Sequence, residues 1–275
     1  MELEAFQSAI ATRLGLRFDD SRSRLLFAVL ARRLEARRVT AHSYLSALRS
    51  SAEEAGELDA LARELTVGET YFFRHADQFK ALSEVALRER LATRAATRSL
   101  RLLSAGCSSG EEAFSLAILL RERGIEPDFR VTIQGVDLNT DALSKAQRGL
   151  YSPWSLRETP APVVERWFSQ EGRDFRLARS IRDAVRFDQH NLILPAPALL
   201  PQAGFDVIFC RNVLMYFTPE HAAAIATQLA RALAPGGYLF LGHAETLRGL
   251  SHAFELRNTH NTFYYQRLLT DPASD

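Results

Sequence analysis

Two adjacent carboxylates, Glu111 and Glu112, stand directly behind a run of small residues, Ala105-Gly106-Cys107-Ser108-Ser109-Gly110. An apolar stretch (Leu100, Leu102, Leu103) leads into that run, and a second, from Phe114 to Leu120, follows the two acids. The spacing predicts a buried strand, a tight turn and a helix folded back on the strand. Glycines let backbone approach a ligand closely, and the first helical turn offers unpaired N–H groups. That is a nucleotide-type site at the carboxyl end of a parallel strand. A phosphate fits it poorly, because the lysine of a P-loop is missing and two acids at the helix entry repel a pyrophosphate. A cofactor carrying positive charge suits the acids better. An ordinary strand-to-helix turn is the other reading of this stretch, so the rest of the chain has to decide.

Other reactive residue types are sparse. Arg74 follows the aromatic cluster Tyr71-Phe72-Phe73, and a partly buried guanidinium wants a carboxylate or another partner. It could serve a ligand or simply join two domains by an ion pair. Asp137 ends an apolar run, 131–136, at the place where such folds hold a ribose diol, although the gap of 31 residues from Gly106 exceeds the usual ~20. Cys107 and Cys210 match no metal or redox spacing; they read as small packing residues at strand ends facing the pocket, in a reducing compartment. His243, His252 and His260 match no zinc spacing, and no metal is expected.

Behind these residues lies an orderly set of elements. Residues 1–66 read as helices only: Leu3, Phe6, Ile10 and Leu14 on the first, Leu25, Leu26, Val29, Leu30 and Leu34 on a second capped by Asp20 or Ser21, Tyr44, Leu45 and Leu48 on a third capped by Thr40, and Leu58, Leu61 and Leu65 on a fourth. Between Arg13 and Arg49, nine arginines (13, 17, 22, 24, 32, 33, 37, 38, 49) face three acids (Asp19, Asp20, Glu35). That excess points either to an acidic partner or to a solvated helix face. Gly68 breaks the helical run and Thr70 is the expected cap of the next helix. From residue 100, strands and helices alternate as in a parallel sheet with helices on both faces. Asn139 or Thr140 caps a short helix closed by Gly149. A Pro/Trp-rich interruption over 151–183 reads as a short helix near 161–168 and a small antiparallel piece. FDVIFC is the cleanest strand; Thr218 and Pro219 start a helix that Pro235-Gly236-Gly237 ends, YLFLGH follows as a strand, and a hairpin closes the chain.

Composition narrows the class. The 275 residues carry 34 basic and 33 acidic side chains, so the net charge of +1 exerts no global pull toward nucleic acid or anionic membrane. No recognition-helix pattern points to DNA. No run reaches the ~18–20 apolar residues of a membrane span, and the start MELEAFQSAIATRL lacks the features of a signal peptide. A cytoplasmic, monomeric protein is expected.

Six blocks, LTVGETYFFR, SAGCSSGEEAFSLA, GVDLNTDAL, FDQHNL, FDVIFCRNVLMYF and LGHAET, resemble in order the signature segments of CheR-type chemoreceptor glutamate methyltransferases. The resemblance covers nearly the whole chain. It implies a Rossmann-like class I S-adenosylmethionine-dependent methyltransferase sheet, an all-helical N-terminal domain and a small inserted antiparallel β subdomain. On that basis the helical domain spans 1–66, a linker over 67–80 contributes to the cofactor site, and the methyltransferase domain spans 81–270 with its insertion at about 157–185. Residues 271–275 would be a disordered tail. The resemblance carries the S-adenosylmethionine contacts to Thr70, Arg74, Ala105, Gly106, Glu112, Asp137, Leu138, Asn191, Leu192, Arg211 and Asn212. It puts Arg74 and Tyr216 closest to the reacting methyl. The implied reaction gives a glutamate methyl ester and S-adenosylhomocysteine. The implied partners are the methylation helices of chemoreceptors, met by the basic N-terminal helices. Relatives that dock on a receptor's C-terminal pentapeptide carry a longer, glycine-richer loop in the insertion; here it is only SQEGRD, 169–174, so tether-independent binding is expected. Gly68 stands where relatives often carry Asn. A methyltransferase of the same fold acting on another protein or a small molecule is the alternative.

Overall fold

The computed structural model describes residues 2–50, 55–195 and 204–269; the expected disordered tail lies outside them. Four helices open the chain: α1 (Glu2–Leu14), α2 (Ser23–Arg37), α3 (Ala41–Ser50) and α4 (Ala55–Leu65). Phe6, Ile10 and Leu14 pack with Leu26, Val29, Leu30, Tyr44, Leu45, Leu48, Leu61 and Leu65 into one core, the positions that helical periodicity picks out. Thr40 caps α3 through its hydroxyl (3.3 Å to the Ser43 amide). The start of α2 differs from expectation. A 3₁₀ turn, Asp20–Arg22, precedes it, Arg22 takes the N-cap position with no side-chain cap bond, and the Ser21 hydroxyl donates instead to Asp19 Oδ1 at 2.5 Å.

Part of the arginine excess turns inward. Glu57 on α4, 2% exposed, accepts two bonds from Arg33 (2.7 and 2.6 Å) and one from the Tyr44 hydroxyl (2.6 Å), with Arg37 3.5 Å away. Burial pushes the Glu57 carboxyl up, and these donors outweigh it to hold the group below its ordinary range. Arg32 likewise pairs with Glu64 (2.7 Å). Helix α4 therefore consumes charge that composition alone leaves to solvent.

The linker carries no helix start at Thr70. Helix α5 (Ala76–Ala81) begins after His75, whose φ of 64° turns the chain sharply, and continues through a π turn, Leu82–Ala86, into α6 (Leu87–Thr93). Phe72 plugs the interior, edge-on to Tyr151 (4.8 Å) and Phe168 (5.0 Å).

The main sheet has seven strands: β1 (Ser99–Ala105), β2 (Arg130–Asp137), β6 (Val185–Gln189), β7 (Phe205–Cys210), β8 (Leu233–Leu241), β9 (Phe254–Thr259) and β10 (Thr262–Arg267). Their order is β6-β2-β1-β7-β8-β10-β9, parallel from β6 to β8, with β10 and β9 antiparallel to their neighbours. This is the class I methyltransferase sheet. Helices α7 (Glu111–Glu122), α8 (Thr140–Arg148) and α11 (Pro219–Ala232) make the crossovers. The Asn139 side chain caps α8 and Gly149 closes it at φ 62°; Thr218 caps α11. Strand β8 begins earlier than expected, at Leu233 rather than after Gly237, because Leu233 pairs with Phe205 and the register then shifts across Pro235-Gly236-Gly237.

The insertion is a three-stranded antiparallel sheet of β3 (Leu150–Tyr151), β4 (Phe168–Glu171) and β5 (Asp174–Leu177) in the order β3-β5-β4, with α9 (Ala161–Trp167) between β3 and β4 and α10 (Arg179–Arg182) after β5. Its first strand lies ahead of residue 157, since a two-residue strand leaves almost no periodic signal. The β4–β5 turn is only two residues long, with Gly172 at φ 63°.

One buried carboxylate ties the α5–α6 helix to the sheet. Asp206, fully buried on β7, accepts from Arg90 (2.8 and 3.1 Å), Arg94 (2.7 Å) and the Arg101 amide (3.0 Å). Removing it leaves the buried Arg90 guanidinium without its counter-charge. Asp206→Ala should therefore cost about 3–5 kcal/mol in urea denaturation, and a loss under 1 kcal/mol would contradict this account.

Candidate active site

Strand order reverses between β1 and β7, because β1 feeds β2 on one side while β7 lies on the other. A crevice opens there at the carboxyl ends of the strands. Gly106 (φ 75°) makes its floor: a Cβ would sit 2.4 Å from Val213 Cγ2, so only glycine fits. Asp137 then clamps the turn. Its Oδ2 accepts from the Ser108 amide (2.7 Å) and its Oδ1 from the Asn139 amide (2.8 Å). Burial nonetheless pushes the Asp137 carboxyl upward. Asp137 lines the crevice, and each oxygen keeps acceptor capacity beyond these bonds.

The two acids behind the turn part company. Glu111 points into the interior, where it accepts from Ser109 (2.7 Å) and Ser155 (3.2 Å) with Lys145 at 3.9 Å, and burial raises its pKa. Glu112 lines the crevice, but its charge is already matched. Ser104 donates to Oε1 (2.6 Å) and Arg211 Nε to Oε2 (2.8 Å). Arg211 also donates to Gln78 Oε1 (2.9 Å) and to the Arg74 carbonyl (2.5 Å). The two acids, read together in sequence as suiting a cofactor with positive charge, thus separate: one is core, the other half of a buried ion pair.

The crevice collects nearly all the residues singled out in sequence. Thr70 and Arg74 line it from the linker, Gly106 and Glu112 from the turn and α7, Asp137 and Leu138 from the end of β2. Asn191 and Leu192 follow β6, and Arg211, Asn212 and Tyr216 follow β7. Ala105 is the exception, fully buried and outside the lining, because its position in β1 turns it into the sheet packing. Cys107 reaches the crevice wall while Cys210 is sealed in the core, contrary to the expectation that both face the pocket; burial pushes both thiols well up, which disfavours the thiolate.

Among the described residues, four buried side-chain polar atoms have no hydrogen-bond partner: the Thr159 and Thr262 hydroxyls and, in the crevice, Arg74 Nε and Asn212 Oδ1. Of the last two, one is a donor and the other an acceptor, and both residues line the crevice. A ligand that ends in both an anionic and an ammonium group would satisfy them together.

Sequence reasoning did not place Leu16, Arg17, Phe18 and Arg22 at the site, yet the α1–α2 connection lines one wall. It is stitched to the segment after β7: the Arg17 amide donates to the Tyr216 carbonyl (2.7 Å), Leu16 and Phe217 form a β-bridge, and the Thr218 amide donates to the Gly15 carbonyl (3.2 Å). The Arg22 guanidinium lies 5.3 Å from the centroid of the Tyr216 ring. His190 also lines the crevice. His243 does not; it packs edge-on to His75 at 4.1 Å. No spacing rule links residues this far apart. Among the described residues no group of three or more His, Cys, Asp or Glu is arranged to hold a metal, and no helix is long and apolar enough to cross a membrane.

Comparison with known proteins agrees with this architecture. Residues 68–263 match the family model described as the S-adenosylmethionine-binding domain of CheR methyltransferases. The chain is 32% identical over 217 residues to the probable biofilm formation methyltransferase WspC of Pseudomonas aeruginosa, covering 79% of this chain and 51% of that one. It is 33% identical over 268 residues to chemotaxis protein methyltransferase 2 of Vibrio cholerae, covering 95% and 91%. With chemotaxis protein methyltransferase 2 of P. aeruginosa it shares 31% over 254 residues, 91% and 87% of the two chains. It thus spans about half the length of the first relative and about nine-tenths of the other two. The crevice fits such a cofactor, whose methionine tail carries both a carboxylate and an ammonium for the two orphaned atoms.

Two outcomes test the electrostatics of the site. Glu112→Ala leaves the Arg211 guanidinium buried without its counter-ion and should cost about 3–5 kcal/mol in denaturant unfolding; an unchanged midpoint would refute the pairing. His75 is held down to about 4 by burial, Arg211, His243 and Arg74, against 6.5 when exposed. Its contribution is intact above pH 6.5. It fades as pH falls toward 4, since the unfolded chain takes up the proton first. With solvent screening that loss is roughly 1–2 kcal/mol, and His75→Phe should flatten this limb of the stability profile.

Proposed function

The chain belongs to the CheR family of S-adenosylmethionine-dependent methyltransferases, and we propose that it methylates glutamate side chains of chemoreceptors, yielding glutamate methyl esters and S-adenosylhomocysteine. The carrying observation is the meeting of Arg74, Asn212 and Tyr216 in one crevice, with two buried polar atoms lacking partners. When bound, S-adenosylmethionine supplies an electrophilic methyl carbon on a sulfonium.

A glutamate with an ordinary pKa of about 4.3 is already ionised at neutral pH, so no general base is required of the chain. What the chain must do is align the incoming carboxylate and keep water away. Asp137 is suited to accept from ribose hydroxyls, and Asn191 and Leu192 to flank the adenine. Arg74 would hold the carboxylate of the cofactor tail or of the substrate, and the Tyr216 hydroxyl would orient the nucleophile. Thr70, Glu112 and Arg211 complete the wall, the last two as a neutral pair that leaves the field near the reacting groups to Arg74.

Substrate helices would meet the helical domain, whose Arg17, Arg24, Arg38 and Arg49 are exposed. The same helix α2 presents Phe27, 65% exposed. The β4–β5 turn of two residues offers little backbone to grip a peptide, which favours binding that needs no receptor C-terminal pentapeptide. A cytoplasmic monomer is the simplest form consistent with this role.

Transfer of labelled methyl to receptor-containing membranes, scored as base-labile methanol, tests the reading. Receptors truncated before the pentapeptide should be methylated at the full-length rate, and micromolar binding of the free pentapeptide would overturn tether independence. Arg74→Ala should lower transfer by on the order of 100-fold through lost alignment. Tyr216→Phe should lower it clearly less than Arg74→Ala; an unimpaired Phe variant would remove the hydroxyl from the mechanism.

A further inference from the structure

Tyr216 sits on a short 3₁₀ turn, Leu214–Tyr216, that follows β7 through Asn212, a residue held at φ 58°. The turn's own two bonds, from the Tyr216 amide to the Val213 carbonyl (3.2 Å) and from the Phe217 amide to the Leu214 carbonyl (3.1 Å), do not set where it begins, so a further constraint must. Glu245, just past the end of the neighbouring strand β8, supplies that constraint. Its Oε2 accepts from the amides of Asn212 (2.7 Å) and Gly242 (2.7 Å), and its Oε1 from those of Val213 (2.9 Å) and Met215 (3.3 Å). Four backbone donors from the ends of two strands converge on one side chain. The pocket for it is built with little slack. A Cβ on Gly242 would lie 2.7 Å from Glu245 Oε2 and 2.9 Å from the Asn212 amide nitrogen, so only glycine admits the carboxylate.

We infer that Glu245 is a positioning residue for methyl transfer: it sets the course of 212–216 and through it the placement of Asn212 and Tyr216. This rests on the functional reading above for the roles of those two side chains. The opposite end of the segment is anchored independently by the backbone links from Gly15, Leu16 and Arg17 to residues 216–218. Loss of Glu245 therefore frees one end only, and the chain can stay folded while the turn drifts. A charged acceptor matters because carboxylate bonds to N–H groups are about twice as strong as neutral ones, and Oε1 and Oε2 each take two. Glutamine keeps the shape but presents an NH₂ to two of the four donors, leaving them opposed by another donor.

The test uses the full chain carrying Glu245→Gln. Asp137 and Asn191, proposed for the adenosine end, make none of the bonds to Glu245, whereas Asn212, proposed for the amino-acid tail, donates its amide to it. Affinity for S-adenosylhomocysteine should fall about tenfold while affinity for methylthioadenosine, which lacks that tail, stays within twofold. Amide hydrogen exchange across 212–216 should quicken at least tenfold with β7 and β8 unchanged. Methyl transfer at saturating cofactor should drop tenfold or more. Gly242→Ala, which leaves every charge in place but displaces the carboxylate, should reproduce the same pattern. Equal losses for both ligands, or unaltered exchange across 212–216, would overturn the inference. Because the ligand and exchange measurements need no receptor, a wild-type chain that binds S-adenosylhomocysteine but methylates no receptor would overturn the functional reading separately.

Discussion

A single buried ion pair, Glu112 with Arg211, holds the parts of this molecule that matter for chemistry in register. It joins the start of α7 to the end of β7, and its remaining bonds reach Ser104 on β1, Gln78 on α5 and the Arg74 carbonyl in the linker. Burying two charges is expensive, and the cost is recovered only where geometry is good and the other donors and acceptors are met. Here the Oε1 and Oε2 atoms and two of the guanidinium nitrogens all have partners. An apolar pair of the same volume could pack as tightly. It could not specify which carbonyl of the linker turns inward, and that carbonyl belongs to Arg74, a crevice residue whose own Nε is buried without a hydrogen-bond partner.

The linker is fixed by the same logic at further points. The Phe72 amide donates to the Ser155 carbonyl and the Phe73 amide to the Ser115 hydroxyl, while Gln78 donates to the Leu241 carbonyl. Positive φ at Phe73 and His75 is tolerated because these bonds and the buried Phe72 ring over-determine the path. A segment that periodicity assigns to no regular element thereby becomes one wall of the site.

What could be read from the chain follows from the range of the interactions involved. The strands, the glycine turn and the Asn139 and Thr218 caps depend on neighbours a few residues away, and their residue types announce them. Charges are different. Glu111 and Glu112 are adjacent in sequence, yet a helical step of 100° sends one to the core and one to Arg211, 99 residues on. The arginines of α2 looked unpartnered because Glu57 and Glu64 lie beyond the next helix. Ala105 shares a signature block with Gly106, but strand alternation and sheet packing seal it away. Glu245 lay in a block whose histidine drew the eye, although the glutamate is the residue that gathers four amides.

The stitching of Gly15, Leu16 and Arg17 to residues 216–218 bears on how recognition and chemistry are joined. Two elements on either side of a cleft usually move against each other unless a rigid contact links them. Here the contact is backbone to backbone, so it does not depend on which side chains occupy the helices. Gly15 is forced: at φ 77° a Cβ would sit 2.4 Å from Ile193 and 2.9 Å from Phe217. The helical domain is consequently part of the site rather than an appendage. In the proposed role, a substrate helix pressed against α2 would push on the same strand-like link that carries the Tyr216 carbonyl. Arg22, at the start of α2, lies over the Tyr216 ring itself. On that proposal, the docking surface and Tyr216 are separated by only one β-bridge and one guanidinium lying over the ring, so a shift in one bears directly on the other.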